Sequence, residues 1–228
     1  ILLLGSKPGT KTTLLSQKFS QLTAGLFSLP IRLPFTTYTL ALKARDFLLN
    51  YIEEEIRERE KNPAQDALSL LIKTKDKEGD SLSLEEIKVQ ALLMLFAGHE
   101  TTTSMLTSLC MALAQNPDIL AQTKAEQEKL KQQGKLSNEQ LKQIPYLEQV
   151  LKEVERLYPP IGGGFRGVVK PFTYNGYYVP QGWQALYRIE RTHQDQRVYT
   201  HPLKFDPERF HPKRAEDKKM DYSLVGFG

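Results

Sequence analysis

Three short clusters in this 228-residue sequence put chemistry-bearing side chains where ordinary packing would not. The first is Ala97-Gly98-His99-Glu100-Thr101-Thr102, which interrupts the nearly all-apolar run from Ile87 to Phe96. Glycine costs roughly 1 kcal/mol relative to alanine in a helix interior, and a buried charge costs more unless it is partnered. Gly98, Thr101 and Thr102 fall at i, i+3 and i+4, so they share one face of a helix. Gly98 removes a side chain and lets a flat ligand approach the backbone. The Thr101 hydroxyl can bond the carbonyl of Ala97, four residues back, loosening the helix and leaving a groove. A small diatomic molecule fits such a groove, with Thr101 to hydrogen-bond it and Glu100 to relay protons. The rival reading is a polar patch at a helix crossing with a threonine-rich kink.

The second cluster is Glu153-Val154-Glu155-Arg156, followed by Leu157-Tyr158-Pro159-Pro160. Glu153 and Arg156 stand at i and i+3 and can pair on one helix face. The same spacing recurs in Glu54-Glu55-Ile56-Arg57, but there in a fully charged stretch that reads as solvated surface. The later pair sits among Val150, Leu151, Val154 and Leu157, and an inward-facing charge pair needs a further partner. The third cluster, Phe205-Asp206-Pro207-Glu208-Arg209-Phe210, supplies a candidate. Arg209 carries a planar fork that suits a carboxylate and keeps its charge when buried. A Glu153–Arg156–Arg209 triad would clamp a helix to the downstream chain. The alternative is that Arg209 lies on a loop surface.

These clusters require a mainly helical frame. Leu40 to Glu60 has apolar residues at helical spacing, closed by Pro63, and a short helix follows over 64–75. Ser83-Leu84-Glu85-Glu86 is a capping box opening a long helix over 83–115, which Asn116-Pro117 stops. Further helices are expected over 117–133, from Ser137, and over 145–158. From Pro159-Pro160 the texture changes. Gly162 to Val169 and Phe172 to Val179 suggest a hairpin turning at Asn175-Gly176, within a small β region over 161–190. The segment 192–228, rich in proline, charge and aromatics, reads as irregular but packed. The expected class is mainly α with small β-sheets.

Taken in order, the three clusters resemble the cytochromes P-450, and the likeness runs from about Leu26 to Gly228. That resemblance implies a partial domain over 1–228 of a haem-dependent monooxygenase, which hydroxylates an apolar substrate using O2. Glu100 and Thr101 would be the distal proton-delivery pair. Glu153, Arg156 and Arg209 would be the proximal structural triad. Ala97, Gly98, Thr101, Arg166 and Phe227 would line the haem, with Arg166 as the cation for a propionate. Phe96, Ala97, Ile161, Gly164 and Phe165 would line the substrate site. Leu26 to Pro30, Gly163-Gly164-Phe165-Arg166 and Asn175-Gly176-Tyr177 are similar to the retinoic-acid-hydroxylating group and its cyanobacterial relatives, although Arg191 stands where that group has an acidic residue. The family's iron-ligating cysteine follows a Phe-Gly opening such as Phe227-Gly228, so it is expected roughly six positions beyond Gly228; the chain as written is then not expected to be active by itself. Cys110 is no substitute. It lies about 13 Å beyond Thr101 along the same helix by the rise per residue, on the distal side, and reads as a packed thiol. The implied partner is an electron-donor protein, a ferredoxin or a reductase.

Composition narrows the remaining classes. A hydrophobic content of 40% and a charged content of 25% are ordinary for a globular protein, and the mild net charge of +4 gives no case for nucleic acid. The single cysteine excludes an internal disulfide framework. No apolar run is long enough to span a membrane, and a cytoplasmic location is expected. Gly5 to Thr12 resembles a phosphate-binding loop, yet Thr10 occupies the place before Lys11 where that loop needs glycine. A non-catalytic helical docking domain is a further rival that leaves the Gly98–Glu100–Thr101 cluster unused. His193, His201 and His211 have no coherent metal-ligand spacing and read as surface or packing residues. Lys213, Arg214, Lys218 and Lys219 read as a solvated basic loop that would steer an acidic electron donor.

Overall fold

A computed structural model describes residues 9–130, 137–221 and 223–224. In order, the elements are α1 (Thr10–Leu26), α2 (Thr37–Lys61), α3 (Ala67–Lys73), α4 (Leu84–Gln115), α5 (Pro117–Glu128), α6 (Asn138–Leu141) and α7 (Pro145–Leu157). They continue with β1 (Gly163–Gly167), β2 (Phe172–Tyr174), β3 (Tyr177–Val179), β4 (Gln184–Arg188) and α8 (Ile189–His193). Two 3-10 turns, Pro207–Phe210 and Glu216–Lys218, punctuate the last segment. The class is mainly α with small sheets. The chain divides into two compact units, Ile1–His99 and Glu100–Gly228, and α4 is continuous through the boundary.

In the first unit α2 explains itself from its sequence. Ala41, Ala44, Leu48, Tyr51, Ile52 and Ile56 are buried at helical spacing, and Thr36 caps the start by accepting from the Thr39 amide. Ile52 and Ile56 are fully buried, each stabilising by roughly 1.5–3 kcal/mol. They pack with Tyr51, Leu68, Ile87 and Ala91 in one apolar cluster. The stretch around Glu54 to Arg57 is therefore solvated only on its outer side, because Ile56 belongs to the core. Helix α1, which the periodicity does not announce, lies against α2 where Gly25 has no side chain to hold it away from Ala41. Ser83 and Glu86 close the capping box of α4, with Glu86 accepting from the Ser83 amide at 2.8 Å.

In the second unit α7 buries Tyr146, Gln149, Val150, Glu153, Val154 and Arg156. Its first amides are held from outside: Glu126 of α5 accepts from Tyr146 N at 2.8 Å and from Leu147 N at 2.9 Å. The β region differs from a single hairpin. Asn175 and Gly176 do turn β2 into β3, both with positive φ, as a tight two-residue hairpin requires. Strand β1, however, pairs antiparallel with β4, leaping over that hairpin. Val198, Tyr199 and Phe210 form the core of the irregular segment. Among the described residues no helix is long and apolar enough to cross a membrane.

Candidate functional site

The second and third sequence clusters meet in the interior of the second unit. Glu153, Arg156 and Arg209 are all fully buried. Arg156 presents its fork to the carboxylate, Nε donating to Glu153 Oε2 at 2.8 Å and Nη2 to Oε1 at 2.9 Å. Arg209 Nε reaches the same carboxylate at 3.0 Å, and the Asp206 amide donates to Oε1 at 2.8 Å. The helix supplies the i, i+3 pair, and the Pro207–Phe210 turn supplies the third member. Both arginines also donate to main-chain carbonyls: Arg156 to His193 and Pro202, Arg209 to Thr200 and Lys204. Tyr199 lies beneath both guanidinium groups, 5.0 and 5.7 Å from its ring centre.

A fourth and a fifth member escape sequence reading. Glu216 is buried and accepts from Arg209 Nη1 at 2.7 Å, from the Thr200 amide at 3.1 Å and from Arg214 Nη2 at 2.9 Å. Burial on its own would raise its carboxyl, but hydrogen bonds from Arg214 and Thr200 and the charge of Arg209 outweigh that and bring it down to about 2. Arg214 also holds Asp206 at 2.9 Å, and Lys219 donates to the Val198 carbonyl. The basic loop is thus not wholly solvated: Arg214 is bound into the clamp, and Lys219 is tied to a main-chain carbonyl. No local signal could have singled out Glu216, since an acid in Arg214-Ala215-Glu216-Asp217-Lys218-Lys219 reads as surface. His193 is fully buried, with Nδ1 donating to the Arg156 carbonyl at 3.1 Å. Burial, reinforced by the Arg156 charge and only partly opposed by that hydrogen bond, pushes it down to about 4, so it is neutral at pH 7. Among the described residues no group of three His, Cys, Asp or Glu gathers to hold a metal.

The first cluster is mid-way along α4. Thr101 and Phe96 are half-buried, while Ala97, Gly98, His99 and Glu100 are exposed. A Cβ on Gly98 would meet open space. The His99 ring stacks on Phe19 of α1 with centroids 6.0 Å apart. Cys110, expected as a packed thiol, is instead exposed. It falls on the outer side of α4 together with Leu106 and Met111.

Arg166 projects from β1, donating to the Phe165 carbonyl at 2.9 Å and standing 5.0 Å from the centre of the Tyr187 ring. Ile161 and Phe165 are exposed, and Gly164 is half-buried under Tyr187. Arg191, the departure from the expected acid, is exposed on α8, and the helix forms regardless. Phe227 lies outside the described residues, as do Gly5 to Pro8 of the phosphate-loop reading. The described part of that loop, from Thr10, is the first turn of α1.

A helix-borne Glu-x-x-Arg pair locked to an arginine of a downstream irregular segment is specific enough to compare with known proteins. The cytochrome P450 family profile matches residues 11–228. A putative cytochrome P450 120 of Synechocystis is 46% identical over 90% of this chain and 46% of its own length. Cytochrome P450 26A1 of Danio rerio is 38% identical over 100% of this chain and 49% of its own. The structure of retinoic-acid-bound cyanobacterial CYP120A1 superposes with a TM-score of 0.91 at 43% identity, covering 100% of this chain and 52% of that one. The chain spans about half the length of the curated relatives it matches. With the lock in place and the match running through both units, the chain belongs to the cytochrome P450 family.

Proposed function

We propose that the protein containing this chain is a haem-dependent monooxygenase that hydroxylates an apolar substrate of the retinoid class. The observation that carries the reading is the fully buried Glu153–Arg156–Arg209 lock, together with the family match over residues 11–228. The substrate class rests on the retinoic acid bound to the similar CYP120A1.

The residues present fit a flat, carboxylate-bearing cofactor. The face of α4 at Gly98 has open space where a side chain would stand, and among the described residues no carboxylate pairs with Arg166. Haem held by these residues would supply oxygen activation and one-electron chemistry. Arg166 would donate N–H groups to a propionate. Ala97 and Gly98 would leave room for a flat ring beside α4. Glu100, exposed to solvent, would take up protons, and the Thr101 hydroxyl would relay them into the site. Phe96 and Ala97 on α4 would offer apolar surface to the substrate, as would Ile161, Gly164 and Phe165 near β1. The lock would hold the segment after α8 in register, and an electron-donor protein of the ferredoxin or reductase type would deliver the electrons.

The test uses the full-length protein loaded with haem. Retinoic acid should shift its Soret band, and Thr101→Ala should consume oxygen without forming hydroxylated product in proportion. Tight coupling retained in Thr101→Ala removes that residue from proton delivery. Absence of a thiolate-type Soret spectrum in the full-length protein removes the haem reading altogether.

A further inference from the structure

Strands β1 and β4 run antiparallel, with Gly164 opposite Tyr187 and Arg166 opposite Ala185. Directly opposed residues project to the same side of a two-stranded ribbon, so these four share a face. Two of the four are small. A Cβ on Gly164 would lie 2.6 Å from the Tyr187 hydroxyl oxygen and 2.8 Å from the ring carbon that bears it. The Tyr187 ring therefore lies over the bare backbone of Gly164, and from there it comes within 5.0 Å of the Arg166 guanidinium carbon, inside cation–π range. An arginine that must receive an incoming anion faces a conflict. A carboxylate neighbour would hold it still but consume its donors. An aromatic face holds the cation and leaves the N–H groups available.

We propose that Tyr187 is a positioning residue for Arg166, fixing the guanidinium over a ring that Gly164 makes room for, so that it meets a cofactor carboxylate already oriented. The inference rests on the haem reading above, in which Arg166 binds a propionate. It adds a residue that touches the arginine rather than the cofactor. It also gives Gly164 a role other than lining the substrate: its missing side chain is the seat of the Tyr187 ring.

The test measures haem release from the full-length holoprotein to excess apomyoglobin. Tyr187→Leu should release haem about two- to fivefold faster, the factor that corresponds to losing one exposed cation–π contact. Tyr187→Phe, which keeps the ring, should match wild type. The double variant Tyr187→Leu/Arg166→Leu should release haem no faster than Arg166→Leu alone. Gly164→Ala, whose methyl must displace the ring, should reproduce the Tyr187→Leu effect and lose it in the Arg166→Leu background; this cycle decides the matter if Tyr187→Leu does not fold. Faster release from Arg166→Leu with unchanged release from Tyr187→Leu overturns the role of Tyr187 and leaves the haem reading standing. Additive effects in the double variant overturn it too, because they place Tyr187 in the fold and not behind Arg166. Unchanged release from Arg166→Leu removes the arginine from the haem site and the proposal with it.

Discussion

Replacing Glu216 by glutamine keeps the side-chain shape and removes its charge from a buried cluster. The carboxyl stands at about 2 in the folded protein against an ordinary 4.5. At roughly 1.4 kcal/mol per unit this is on the order of 3 kcal/mol of stability at neutral pH. A second route gives a similar size: removing one partner of a buried ion pair costs roughly 3–5 kcal/mol, and Arg209 Nη1 would lose its carboxylate at 2.7 Å. The expected signature is in the pH dependence. A depressed carboxyl contributes stability that is complete above its unfolded value and is lost as pH falls through its folded value. The difference between wild type and Glu216→Gln should be about 3 kcal/mol at pH 7, about half that near pH 3, and close to zero near pH 2. Urea unfolding of the full-length protein at stepped pH measures it. A difference under about 1 kcal/mol at pH 7, or one that stays constant on acidification, would refute the assignment of Glu216 as a charged member of the lock.

His193 should lose its contribution in a separate window: its folded value of about 4 lies below the ordinary 6.5, so stability present above about 6.5 falls as pH drops toward 4. A His193→Gln variant should flatten that part of the stability profile, and a curve still falling as steeply as wild type between those limits contradicts it. Glu126→Ala leaves the amides of Tyr146 and Leu147 without their carboxylate and should cost about 1–2 kcal/mol, read as a lowered urea midpoint; no change would mean water replaces the cap fully. Gly25→Ala should destabilise by about 1–3 kcal/mol despite the better helix propensity of alanine, because the new methyl overlaps that of Ala41; a raised melting temperature would show that α1 shifts without cost.

The helical frame was legible because its signals are local. The capping box at Ser83 and the stop at Asn116-Pro117 bound α4 to within a residue, and Asn175-Gly176 marked its hairpin correctly. The triad residues could be picked out because a charge pair among valines and leucines is expensive alone and asks for a partner. What stayed hidden was non-local or masked by composition. The β1–β4 pairing joins a glycine-rich strand to one more than fifteen residues away, and no turn signal encodes it. Helix α1 buries only Phe19 and Gly25, too little for a periodic pattern. Glu216 could be inferred only from the unspent donors of Arg209, which a sequence does not display. Cys110 reads as a packed thiol in the sequence, yet its side of α4 is exposed.

The two buried arginines send donors to the carbonyls of His193, Thr200, Pro202 and Lys204, so they grip the backbone of the stretch they hold, with the Tyr199 ring as the one side chain beneath both. Outside the short turns, these guanidinium groups replace the hydrogen-bond ladder that a strand or helix would have provided. Such an arrangement makes a forked guanidinium necessary at both positions, because the point charge of lysine has no fork to divide among several carbonyls.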